Sequence, residues 1–171
     1  MSKNLKPQTP SLNKLSQNMA IKLTDKQREK IEEGGWVRGE MVIQVQGNDP
    51  VHVKKGLNEH IDKIRKEEGL ELFGIEAHDT KEFKQGIYAC DADIGFLAKD
   101  FNVLTRLALL YSPSSIEIFE PKELKIPLGD AQNILVDISN IVTSLAHAVF
   151  VQEGQLRKYR SENPQDIKKQ A

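Results

Sequence analysis

Residues 88–96 read YACDADIGF, and their alternation constrains the fold more than any other feature of the chain. Tyr88, Cys90, Ala92, Ile94 and Phe96 fall on one side of an extended segment, and Ala89, Asp91, Asp93 and Gly95 on the other. One side is a row of apolar groups and the other carries two carboxylates. That is the pattern of a strand in an antiparallel sheet with one covered face and one wet face. The cover has to come from helices, so the chain must supply helices whose apolar stripes match.

It does. In GEMVIQVQG, Met41, Ile43 and Val45 lie opposite Val42, Gln44 and Gln46, predicting a first strand. NDP then opens a helix with Asp49 as cap and Pro50 at its first position. Its stripe is Val53, Leu57, Ile61 and Ile64, and Gly69 closes it. LELFGIEA is a second strand with apolar residues on both sides, which leaves its register open; HDTKEFKQG is a polar link into the third. Asp100 caps a second helix with Phe101, Leu104, Leu107, Ala108 and Tyr111 as its buried face, stopped before Pro113. SIEIFEP is a short last strand, and Gly129 and Asp130 lead into a long helix over 130–152. Upstream, Thr24 and Gln27 have capping-box spacing at the start of a short helix within 24–35, which leans on the body through Leu23 and Ile31.

The order strand, helix, strand, strand, helix, strand predicts an α+β fold. It is the ferredoxin-like split βαβ (β-α-β-β-α-β), an antiparallel sheet with strands one and three central and two helices on one face. A long C-terminal helix and a short N-terminal helix are added to it. The expected organisation is a disordered basic tail over 1–23, the short helix, one domain over 36–152 and a charged tail over 153–171.

A single cysteine excludes an intrachain disulfide and fits a reducing compartment. The basic start has no apolar run behind it, so no signal peptide is expected. The apolar window 134–151 is interrupted by Asp137, Ser139, Asn140, Thr143, Ser144 and His147, which favours a buried helix over a bilayer span. The expected setting is cytoplasmic, with no membrane. The net charge of −1 is uneven: +3 over residues 1–35, −6 over 36–150 and +2 over 151–171. An acidic body between mildly basic ends is not the footprint of a nucleic-acid-binding domain, which gathers Lys and Arg on one face.

On the wet side of the sheet, Asp91 and Asp93 stand beside Gln44 and Gln46, with Glu76 and Glu117 expected to join them in an acidic face. Such a face is solvated, meets a basic protein partner, or holds a hard divalent cation. No metal site is expected; Asp91 and Asp93 are the candidates, and two carboxylates are few ligands. Base stacking in folds of this topology uses aromatics on strands one and three, where this chain has Gln44, Gln46, Asp91 and Asp93. RNA binding on the sheet is therefore disfavoured. Cys90 points inward as a small hydrophobe. His52, His60, His78 and His147 show no i, i+4 ligand pair, and His78-Asp79-Thr80 reads as turn chemistry. No catalytic residue, cofactor or phosphate loop emerges, so catalysis is not expected.

The C-terminal helix carries more apolar surface than one domain needs. Ala131, Ile134, Leu135, Ile138, Ile141, Val142, Leu145, Ala148 and Val149 form a wide face, against a polar stripe of Asn133, Asp137, Asn140, Ser144 and His147. An interface through Ile138, Ile141, Val142, Leu145 and Val149 follows, with a two-fold homodimer as the simplest assembly.

Tyr111-Ser112-Pro113, Ile116-Glu117-Ile118 and Glu120-Pro121-Lys122-Glu123-Leu124 end a helix, form a hydrophobic–Glu–hydrophobic strand and lead into Glu-Pro-x-Glu-Leu. Residues 104–124 thereby resemble the end of the C-terminal domain of WYL-type bacterial transcription regulators. The resemblance implies a ferredoxin-like topology and covers neither the winged helix nor the WYL domain, so no regulator function is implied. The expected function is a non-catalytic interaction or regulatory module that self-associates through its last helix. The alternatives are a nucleic-acid-associated factor using the basic tails, or a divalent-metal-dependent enzyme at the acidic face.

Overall fold

The computed structural model describes residues 22–162. The expected N-terminal tail, apart from Lys22 and Leu23, and residues 163–171 of the expected C-terminal tail lie outside the described residues. In chain order the described elements are α1 (Asp25–Glu32), β1 (Val37–Gly47), α2 (Pro50–Ile64), β2 (Leu70–Ala77), β3 (Lys81–Lys84), β4 (Ile87–Ala98), α3 (Phe101–Tyr111), β5 (Ser115–Glu120) and α4 (Leu128–Glu162). The chain divides into two compact units, Met1–Lys125 and Ile126–Ala171. The expected 36–152 region spans parts of both units, and α4, which buries only Ile134, belongs to the second.

In the first unit the sheet runs β2-β4-β1-β5, all antiparallel, with β4 and β1 central. This is the ferredoxin-like α+β arrangement. One element is additional: β3, which pairs with the start of β4, forms where the sequence predicts a polar link. Lys81–Lys84 is exposed at every position and has no apolar alternation, so pairing and not burial makes it a strand.

The three described helices of this unit start where the side chains predict. Thr24 and Gln27 close the capping box of α1. Asp49 accepts from the N–H groups of Val51 and His52, and Asp100 from that of Val103. α2 buries Val53, Leu57, Ile61 and Ile64 against Met41, Ile43, Cys90, Ala92, Ile94 and Phe96. α3 buries Val103, Leu104 and Leu107, while Ala108 is exposed. Phe101 packs half-buried against the core as predicted, and Val103 joins the inward face in place of Ala108. Tyr111 ends α3 half-buried, its hydroxyl donating to Glu67 at 2.6 Å; burial first, then that bond, pushes its pKa up to about 12.

The sheet tightens through two phenylalanines that fill the space above glycines on the neighbouring strand. On the helix side Phe96 lies over its cross-strand partner Gly39; on the opposite side Phe73 lies over Gly95, where a Cβ would come within 2.6 Å of the ring. That opposite side is not wet along its whole length: Leu97 and Glu40 are buried. There α1 is tied down, with Lys30 and Gln27 both bonded to Glu71 of β2, and Lys30 sits 4.6 Å above the ring of Trp36. The hydrogen bond from Lys30, with help from Gln27, holds the Glu71 carboxyl below its ordinary pKa.

Two outcomes follow. Gly39→Ala drives a methyl into Phe96 and the Glu117 carbonyl, so urea unfolding should show a loss of about 1–3 kcal/mol at unchanged slope. An unaltered midpoint would refute that packing. Because the Glu71 pKa is depressed by folding, its contribution is full above the unfolded value of about 4.3 and is lost as pH falls through the folded value. Fluorescence of Trp36, the only tryptophan, should therefore change below about pH 4 as α1 releases, and Glu71→Gln should abolish the step.

Candidate functional site

The outer strand of the sheet brings together residues that the sequence spaces apart. β2 holds one extra residue between Phe73 and Glu76, with Gly74 at φ 56 absorbing the bulge. The bulge resets the alternation, so Glu76 sits opposite Asp93. The strand then breaks at residues 78–80 before resuming as β3. Through the break His78 stays attached: its N–H donates to the Asp91 carbonyl at 2.9 Å, and its own carbonyl accepts from the Cys90 thiol at 3.2 Å.

This anchoring lays the imidazole across the carboxylates of β4. Nδ1 is 2.8 Å from Asp91 Oδ2, within hydrogen-bonding distance. Nε2 then faces Asp93 Oδ2 at 3.5 Å and Glu76 Oε1 at 4.0 Å. One ligand atom from each of Glu76, His78 and Asp93 falls within 4.8 Å of the others. His78 and Asp93 are largely sheltered, whereas Glu76 is exposed. Of the expected acidic face, Glu76, Asp91 and Asp93 come together, with Gln44 opposite Asp91. Glu117 is on β5, opposite Glu40 and across β1 from this cluster. His78 is the member that sequence spacing misses. The signal lies in Gly74 followed by His-Asp-Thr, a bulge and a break that re-aim one side chain. Cys90 is buried in the core, as its inward position requires.

The second unit presents a different surface. α4 runs for 35 residues, beginning before the expected Asp130 and passing the expected end at Gln152. The expected charged tail is thus helical through Glu162, where Glu153–Arg157 and Lys158–Glu162 form i, i+4 ion pairs. Of the predicted interface residues, Ile138 and Ile141 are half-buried, and Val142, Leu145 and Val149 are exposed. Leu128, Ala131, Leu135, Ile138, Val142, Leu145, Val149, Gln152, Leu156 and Tyr159 follow one another at steps of three and four, a repeat of seven sustained along the helix. Leu135 is 67% and Leu145 64% exposed. By length and composition alone, α4 is also long and apolar enough to cross a membrane.

The MJ0538 family matches residues 39–145, most of the chain. The chain belongs to that family. The match takes in the sheet apart from Val37 and Arg38, all four members of the His78 cluster and α4 as far as Leu145; α1 and the end of α4 lie outside it. No curated protein and no solved structure matches the chain.

The buried Cys90 gives a check on this geometry. Its thiol should resist a colorimetric disulfide reagent in the native protein and react at once in denaturant. Fast native labelling would show that the contact with His78 does not hold.

Proposed function

We propose that this protein is a non-catalytic assembly module in which α4 pairs with the same helix of a second copy. The observation that carries this is the repeat of seven on a helix whose apolar residues stand in the open. Apolar positions recurring every three and four residues over several heptads are what two supercoiling helices bury between them. Leu135, Val142, Leu145, Val149, Leu156 and Tyr159 are each about half exposed or more. Burying an aliphatic side chain of this size stabilises by roughly 1.5–3 kcal/mol. Twelve such side chains across two helices, each already partly covered, supply a gain of the same order as the roughly 4–15 kcal/mol that association costs. Leu and Val supply the first heptad position and Ile and Leu the central fourth positions, a composition suited to such a seam.

Two features weigh against α4 as a bilayer span. Asn133, Asn140 and His147 form a polar line along its back, and Asp137 lies within the apolar window. The repeat also continues through Leu156 and Tyr159, among Glu153, Arg157, Lys158 and Arg160, where no bilayer core would accommodate it.

Light scattering coupled to size exclusion tests the proposal on detergent-free protein. The expected mass is a multiple of the 19.3 kDa chain, most simply a dimer. Leu145→Asp should weaken association by about a hundredfold or more, near 2.7 kcal/mol, and leave the sheet intact. A wild-type monomer at high micromolar concentration, or protein recovered only with lipid, would overturn it.

A further inference from the structure

We infer that Glu76, His78 and Asp93 bind a first-row divalent transition-metal ion of the Zn2+ type, with Asp91 holding the imidazole in the ligating orientation. The ligand set decides the class of ion. Two carboxylates alone would suit Mg2+ or Ca2+, which take oxygen ligands. An imidazole nitrogen converging with them shifts the preference to zinc and its neighbours, which take mixed nitrogen and oxygen donors.

The spacing fits the same class. Ligand atoms about 2.0–2.2 Å from a tetrahedral ion stand about 3.4 Å from one another. Nε2 lies 3.5 Å from Asp93 Oδ2, which already meets that distance. The 4.0 Å separation from Glu76 Oε1 is too long for a hydrogen bond and closes with a small rotation of an exposed side chain. The ring orientation fits as well. A coordinating histidine commonly donates its other N–H to a carboxylate, and Asp91 Oδ2 stands 2.8 Å from Nδ1, placed to take that N–H while Nε2 faces the other two ligands.

The frame is also rigid. His78 is fixed through both backbone groups, to Asp91 and to Cys90, and Asp93 comes from the central strand β4. Three protein ligands leave a fourth position for water or a ligand from solution, so the site is open and not a closed structural one. This cluster is not the oxygen-only pair that the sequence suggests, since the nitrogen comes from the break between β2 and β3 and not from β4.

Calorimetric titration of the metal-stripped full chain with Zn2+ at neutral pH tests the inference, and it reads the same whether or not the chain self-associates. The expected result is one ion per chain with micromolar or tighter affinity, undisturbed by excess Mg2+. His78→Gln and Asp93→Asn should each weaken binding at least tenfold, and Asp91→Asn by about ten- to a hundredfold as a positioning residue. Glu76→Gln, at an exposed site where folding is not at risk, should also weaken it and alter the visible absorption of the Co2+ form. Absent saturable binding, equal competition by Mg2+, or affinity unchanged in both Glu76→Gln and Asp93→Asn would overturn the assignment.

Discussion

β4 is hydrogen-bonded along both sides, to β1 from Ala98 through Tyr88 and to β2 and β3 on the other flank, and this double ladder governs the first unit. Its period of two sends Cys90, Ala92, Ile94 and Phe96 under the helices and Asp91 and Asp93 away from them. A slip of one residue would exchange the two sets and bury both carboxylates. The glycine–phenylalanine contacts resist such a slip from both sides of the sheet. Phe96 needs the bare backbone of Gly39, and Phe73 needs that of Gly95, so each ring accepts one register only.

Much of this is legible in the amino acids. Caps at Thr24, Asp49 and Asp100 fix where helices start, because each side chain satisfies amide groups that have no partner in the first turn. The α2 stripe follows from spacing alone, since Val53, Leu57, Ile61 and Ile64 leave one choice of inward face. What escapes is whatever depends on a single conformational exception. β2 reads ambiguously because its alternation is reset at Gly74, and no periodicity spans a bulge. β3 escapes because three charged residues and an exposed Phe83 carry no burial signal. His78 escapes for the same reason as β2: its partners are set by the break after it, not by its place in a repeat. The return of α1 to Glu71 escapes too, because it spans a sequence gap that no local pattern bridges.

The two units divide the chemistry between them. Charge and hydrogen-bonding capacity concentrate around His78, where backbone anchors hold a side chain among carboxylates. Apolar surface concentrates on α4, whose residues are ordered by helix geometry and by little else. The predicted end at Gln152 stops where the apolar density falls, yet the helix continues because Glu153–Arg157 and Lys158–Glu162 support it along its surface. The wide face is visible in composition, while the seam within it emerges only when every position is assigned to one continuous helix.

The bulge at Gly74 has a further effect on how copies of this chain can meet. An open sheet offers unpaired amides at its margins, an invitation to intermolecular strand addition and fibrous growth. Here one margin is kinked at Gly74 and interrupted again at residues 78–80, and the other is the short Ser115–Glu120 followed directly by Pro121. Neither provides a long straight template. The same backbone irregularity that delivers His78 to its carboxylates thus closes the sheet to cross-β growth.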